Sequence, residues 1–129
     1  MHGPIQLFTV IALVSLPTVM YGGYALMGVL RDRKLTEHQR AMFRAGHAHA
    51  GVLLILALVA LQILDRTTLP ETTVWITCFL LLFGILAQSG GFFVHLIPGK
   101  GALGGRVTSA GAVLLAAATL LTAYGVAFP

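Results

Sequence analysis

The segment Gly46-His47-Ala48-His49-Ala50-Gly51 sets two imidazoles among small residues, just after Arg44 and at the head of a long apolar run. An ionisable side chain within a membrane span is costly to bury and by default marks a functional site. Residues i and i+2 of a helix point about 200° apart, so His47 and His49 cannot clamp one ion as an i, i+4 pair does. They serve two directions instead. His47 shares a face with Arg40, Arg44 and Gly51, and His49 shares one with His38, Met42 and Ala45. In a small bundle one face looks into the protomer and the other meets a neighbouring subunit.

A third imidazole, His95, ends a stripe of Gly84, Gln88, Gly91 and His95 at i, i+4, i+7 and i+11, a small and polar line down an otherwise apolar helix. A neutral imidazole, glycine-lined clearance and nearby arginines at a membrane surface are what a haem requires: iron takes the imidazole, the macrocycle needs flat apolar room, and the propionates favour Arg. Here His47, His49 and His95 are the candidate ligands or pocket groups. Arg40 and Arg44 are the candidates for the propionates, and Gly51, Gln88 and Gly91 for the pocket. A mononuclear zinc or copper site needs three or four converging ligands, yet no Cys or carboxylate lies near this level. A proton relay is weaker still, because no buried Asp or Glu continues the path. The bland alternative is that the histidines only hydrogen-bond between helices.

These residues must be positioned by membrane-spanning helices. Of the 129 residues, 57% are hydrophobic and only 9% charged, far from the mix of a soluble domain. Every Lys, Arg, Asp and Glu falls outside four apolar stretches, roughly 5–30, 45–64, 73–97 and 107–128, each near the ~20 residues that cross a bilayer as helix. No strand-like alternation points to a barrel. The expected fold is an all-α, four-helix integral membrane bundle, a single domain over 1–129. The first apolar run is too long for a signal-peptide core, so it is expected to stay as a permanent span. Cys78 stands alone inside the third span, which rules out an intrachain disulfide and reads as a small buried apolar residue.

Local signals set the expected helix ends. Thr36-Glu37-His38-Gln39 has the form of a capping box, so the second helix should start there and run unbroken to Leu64. Pro70 suits the first turn of the third helix, which should end at Pro98-Gly99. Pro98 to Arg106, rich in glycine, matches no phosphate-binding fingerprint and is read as a tight turn. In the first span Pro17, Tyr21, Tyr24 and Gly28 share a face that is expected to turn inward. The fourth span, with Gly111, Ala112, Ala116, Ala117, Ala118, Thr119, Thr122 and Ala123, reads as a packing helix.

The net charge of +4 is explained by its distribution rather than by nucleic acid. The first loop holds Arg31, Arg33, Lys34, Arg40 and Arg44 and the third holds Lys100 and Arg106, whereas the second holds Asp65, Arg66 and Glu71. By the positive-inside rule the first and third loops face the cytoplasm and both termini face outward, as expected of a protein of the bacterial inner membrane. His47, His49 and His95 would then lie at one cytoplasmic depth and converge.

Four features together resemble the small four-helix membrane family that contains styrene oxide isomerase and hydroxylaminobenzene mutase. They are His2-Gly3 opening the first span, His49-Ala50-Gly51 at the start of the second, Gly91-Phe92-Phe93 late in the third, and a Pro/Gly-rich turn leading into a small-residue fourth span. The likeness covers most of the chain. It implies a homotrimer with haem b at subunit interfaces, His49 as the iron ligand, and iron acting as a Lewis acid on the oxygen of a small apolar substrate. The chain departs from the epoxide-isomerase branch where that branch carries Asn, Asp and Tyr, positions that fall on Ile55, Ile85 and Phe93. His47 and His95 have no counterpart there. An open iron site leads to isomerisation, and an iron closed by two histidines leads to electron transfer or sensing. A different class of reading is a non-catalytic subunit that packs against a larger membrane complex through its small-residue helices.

Overall fold

In the computed structural model, which describes residues 3–128, the capping box forms as its residues predict. Gln39 N–H donates to Thr36 Oγ1 at 3.1 Å and Thr36 N–H donates to Gln39 Oε1 at 2.9 Å, satisfying two otherwise free donors at a helix start. The helix so capped is the second of four, α1 Gly3–Leu30, α2 Glu37–Leu64, α3 Glu71–Val94 and α4 Gly101–Ala127. All four are long and apolar enough to cross a membrane, the build of an integral membrane protein. His2 lies outside the described residues.

From Arg44 to Leu64 is 20 residues, about 30 Å of helix and the thickness of a hydrocarbon core. Arg44 and Arg106, both exposed, thus mark one membrane boundary. The ends of α1 and α2 joined by the first loop project beyond it; this is called the basic end below. Arg40 ties that hairpin together. Its guanidinium donates to the carbonyls of Leu30 at 2.6 Å, Asp32 at 2.9 Å and Leu35 at 3.4 Å, closing the last carbonyl of α1 and two of the loop.

The core is thickest at the opposite end. Leu61, Leu64, Thr77 and Cys78 are fully enclosed there, and Phe8 meets Phe79 and Trp75 edge-to-face at 5.1 and 6.2 Å. The buried residues of α1 are Pro4, Ile5, Phe8, Thr9 and Ala12. Past Ala12, and so on both sides of Pro17, α1 has no fully buried residue, and it never reaches α4.

α3 and α4 pair along their whole length. A Cβ built on Gly91 would collide with Thr108 and with Gly104 O at 2.8 Å, one on Gly111 would meet Gln88 Cα at 2.7 Å, and one on Gly84 would meet Leu115 Cγ at 2.7 Å. This is the close approach that small residues permit in lipid.

Three sequence expectations change. The turn between α3 and α4 covers only 95–100, because α4 begins at Gly101: its first turns carry Gly104, which packs on Gly91 and His95 and so belongs to the seam. Correspondingly α3 stops at Val94, short of Pro98, and Pro70 stands just ahead of α3 at its N-cap. The face of Pro17, Tyr21, Tyr24 and Gly28 is turned outward, with Tyr21 71% and Tyr24 70% exposed and nothing near Gly28. The side of α1 that meets α2 is the one carrying Val19, Gly22 and Gly23, since small residues give the closest approach.

Candidate functional site

α2 crosses α3 at Gly46, where a Cβ would lie 2.7 Å from Phe93 Cε2 and 3.2 Å from Phe92 Cβ. Gly91-Phe92-Phe93 straddles this crossing. Phe93 falls on one side with Phe43, ring centroids 6.1 Å apart, and Phe92 on the other with His49, ring centroids 4.6 Å apart.

The His49 ring is half-buried and oriented twice, by Phe92 and by a 2.8 Å hydrogen bond between its Nδ1 and the Ala45 carbonyl. A carbonyl only accepts, so Nδ1 carries the proton and the neutral ring presents its lone pair at Nε2. Metal-ligating histidines are held in this way, with the second ring nitrogen donating to a backbone carbonyl or carboxylate. His49 shares its helix face with Leu56, Ala60 and Ile63, which line an apolar furrow of about 410 Å³ against Thr119, Thr122, Ala123 and Val126 of α4.

His47 faces the other way. Its imidazole lies against α1, where a Cβ on Gly23 would come within 2.8 Å of Nε2 and one on Gly22 within 3.9 Å of Nδ1. Among the described residues neither ring nitrogen has a hydrogen-bond partner. His95, the C-cap of α3, packs against α4, with Cδ2 2.7 Å from a Cβ on Gly104. The three imidazoles therefore share one end of the bundle but turn to three helices, and the expected convergence does not occur. No three His, Cys, Asp or Glu side chains among the described residues are placed to hold an ion.

The remaining candidates divide in the same way. Arg40 is spent on loop carbonyls, whereas Arg44 is exposed and without a partner among the described residues. Gly51 faces Val19 of α1 rather than the His49 side, and Gly91 is filled by α4. Gln88 presses its backbone on Gly111 but lies one turn from Phe92 on the same side of α3. Phe43 and the Gly22-Gly23 pair escaped the sequence reading, and Phe92 entered it only within Gly91-Phe92-Phe93. Adjacent glycines in a span were the available signal, since they mark a place where another group comes close.

The arrangement fits a haem in part. The His49 imidazole is pre-oriented and an apolar furrow begins two turns further along its face at Leu56, whereas Arg44, the candidate cation without a partner among the described residues, lies on the His47 face. The α3–α4 seam leaves no space for a macrocycle, so a planar group would lie on the lateral face of the protomer. No protein-family model, curated protein or solved structure matches the chain.

Proposed function

We propose that this chain is a haem-b-binding integral membrane protein, ligating iron through His49 Nε2, and that it acts as an isomerase of a small apolar oxygenated substrate. The observation that carries this reading is the Nδ1 bond of His49 to the Ala45 carbonyl, which fixes tautomer and ring direction together. The bound haem would supply a Lewis acid at the substrate oxygen. The chain's own contribution is positional. His49 holds the group and Phe92 stops the ring from turning. Every Asp and Glu lies outside the four spans, which favours chemistry without a strong general base.

The reading places both termini outside the bacterial inner membrane, with the basic end in the cytoplasm. It also calls for a homo-oligomer, a trimer by resemblance, because the lateral face bearing His49 becomes a closed pocket only against a second copy. A bis-histidine centre within one protomer is not favoured, since His47 and His95 turn to α1 and α4.

Purified protein supplied with haem should show a Soret band that His49→Ala removes and His47→Ala keeps. Added imidazole should shift the band if the iron has an open position. A colourless protein after haem is supplied sinks the proposal.

A further inference from the structure

The two histidines stand over two different hollows, and the one beneath His47 has no part in the haem reading. α1 docks on α3 through its first three turns and is not fully buried thereafter. Where it leaves α3, a cavity of about 240 Å³ opens between α1, α2 and α3, walled by Ala12, Ala57, Leu61, Cys78 and Ile85 among others. Its polar atoms are hydroxyls already committed to their own helices, Ser15 to the Ile11 carbonyl at 2.8 Å and Ser89 to the Ile85 carbonyl at 2.6 Å. The lining is thus apolar in effect. An apolar cavity of roughly 150 Å³ already takes up benzene.

A second hollow, also about 240 Å³, continues the line towards the basic end, lined by Gly22, Leu26, Val29, Phe43, His47 and Phe93. The two follow each other along the same three helices, with Val19 and Ala50 lining the first and Gly22 and His47 the second. Taken together as one groove, the two hollows run from His47 to Leu61, 14 residues of α2 and about 21 Å. Its charge lies at one end only. His47 has no partner, Arg44 stands one turn nearer the surface on the same face and also has none among the described residues, and seven of the eight Lys and Arg residues belong to the basic end.

We propose that this groove binds a long-chain fatty acid, with its carboxylate at the mouth between Arg44 and His47 and its chain running down past Ala50, Ala57 and Leu61. A carboxylate matches an arginine fork plus one imidazole N–H, and a groove flanked by α1 and α3 suits a single chain. The loss of burial of α1 past Ala12, where it leaves α3, gives the chain lateral access from the bilayer.

Trp75 is the only tryptophan in the sequence and touches Phe8, which lines the deep end of the cavity. The full-length protein in lipid nanodiscs is titrated with fatty acids brominated either at the chain end or beside the carboxylate, and Trp75 fluorescence is read. End-brominated acid should quench saturably and carboxylate-brominated acid should not. The methyl ester, and the Arg44→Gln/His47→Ala double variant, should each bind at least about tenfold more weakly. Ala57→Phe should abolish saturable quenching, and a retained thermal transition shows that this variant still folds. His49→Ala should leave the titration unchanged, so the haem reading and this one can fail separately. Equal quenching by both bromine positions, equal binding of the ester, or tighter binding of a single-chain phosphate lipid would each overturn the assignment.

Discussion

α4 and α1 both flank the central α2–α3 pair, yet one is welded and the other leans. On the α4 side, Gly84, Gly91, Gly104 and Gly111 bring backbones into contact, and a Cβ at any of them meets atoms within 3 Å. On the α1 side, Phe8 and its neighbours hold one end, Arg40 holds the other through the Leu30 carbonyl, and between them lies a groove. In lipid no hydrophobic effect pulls helices together, so proximity follows from the depth to which small residues allow backbones to nest. The glycines of α4 face its partner. Of those in α1, Gly28 faces open space, and Gly22 and Gly23 admit a histidine ring instead of a helix.

The sharpest way to break this comparison uses two adjacent residues. Gly91→Ala sets a methyl 2.6 Å from Thr108 N and 2.8 Å from Gly104 O, both backbone atoms that cannot move without parting the helices. It should cost roughly 3 kcal/mol, the upper end for overpacking. Gly90→Ala meets nothing within 4 Å and should be neutral or stabilising by up to about 1 kcal/mol. Unfolding titrations in mixed micelles would measure both. Equal effects at the two positions would mean that α3 and α4 are not welded at Gly91.

The leaning side depends on its clamp. Arg40→Ala removes charge-assisted bonds to three carbonyls and should cost about 2 kcal/mol, while its exposed pairing with Glu37 at 3.5 Å adds little. The visible consequence should be faster tryptic cleavage at Arg31, Arg33 and Lys34. Lysine at position 40 should not rescue it, because an ammonium lacks the planar fork that spans the Leu30 and Asp32 carbonyls.

This division also explains what could be read from the sequence. The four spans, the capping box and the small-residue character of α4 are local properties of composition and spacing, and they appear as expected. The stripe of Gly84, Gln88, Gly91 and His95 was legible as a special face, but its use was not: helix packing and cofactor clearance both call for small residues, and only the partner helix decides between them. The outward turn of Tyr21 and Tyr24 was hidden for a related reason. In a membrane both lipid and protein interior are apolar, so periodicity reveals a face without its direction. The opposed directions of His47 and His49 followed from the i, i+2 spacing, whereas the Nδ1 bond of His49 and the groove beneath His47 depend on three-dimensional packing.

The smallest expected effect lies where the two kinds of contact meet. At Gly23 an added methyl would approach His47 Nε2 at 2.8 Å and Cε1 at 3.1 Å, a clash somewhat looser than the one at Gly91. The obstacle also differs in kind. An imidazole at the end of two torsions can swing into the hollow lined by Phe43 and Phe93, whereas the backbone of Thr108 has nowhere to go. Gly23→Ala should therefore cost less than about 1 kcal/mol, the scale of one displaced rotamer, and should change the chemical shifts of His47 while leaving those of His49 in place. If Gly23→Ala instead destabilises as strongly as Gly91→Ala, the ring has no room to move and α1 is packed as tightly as α4.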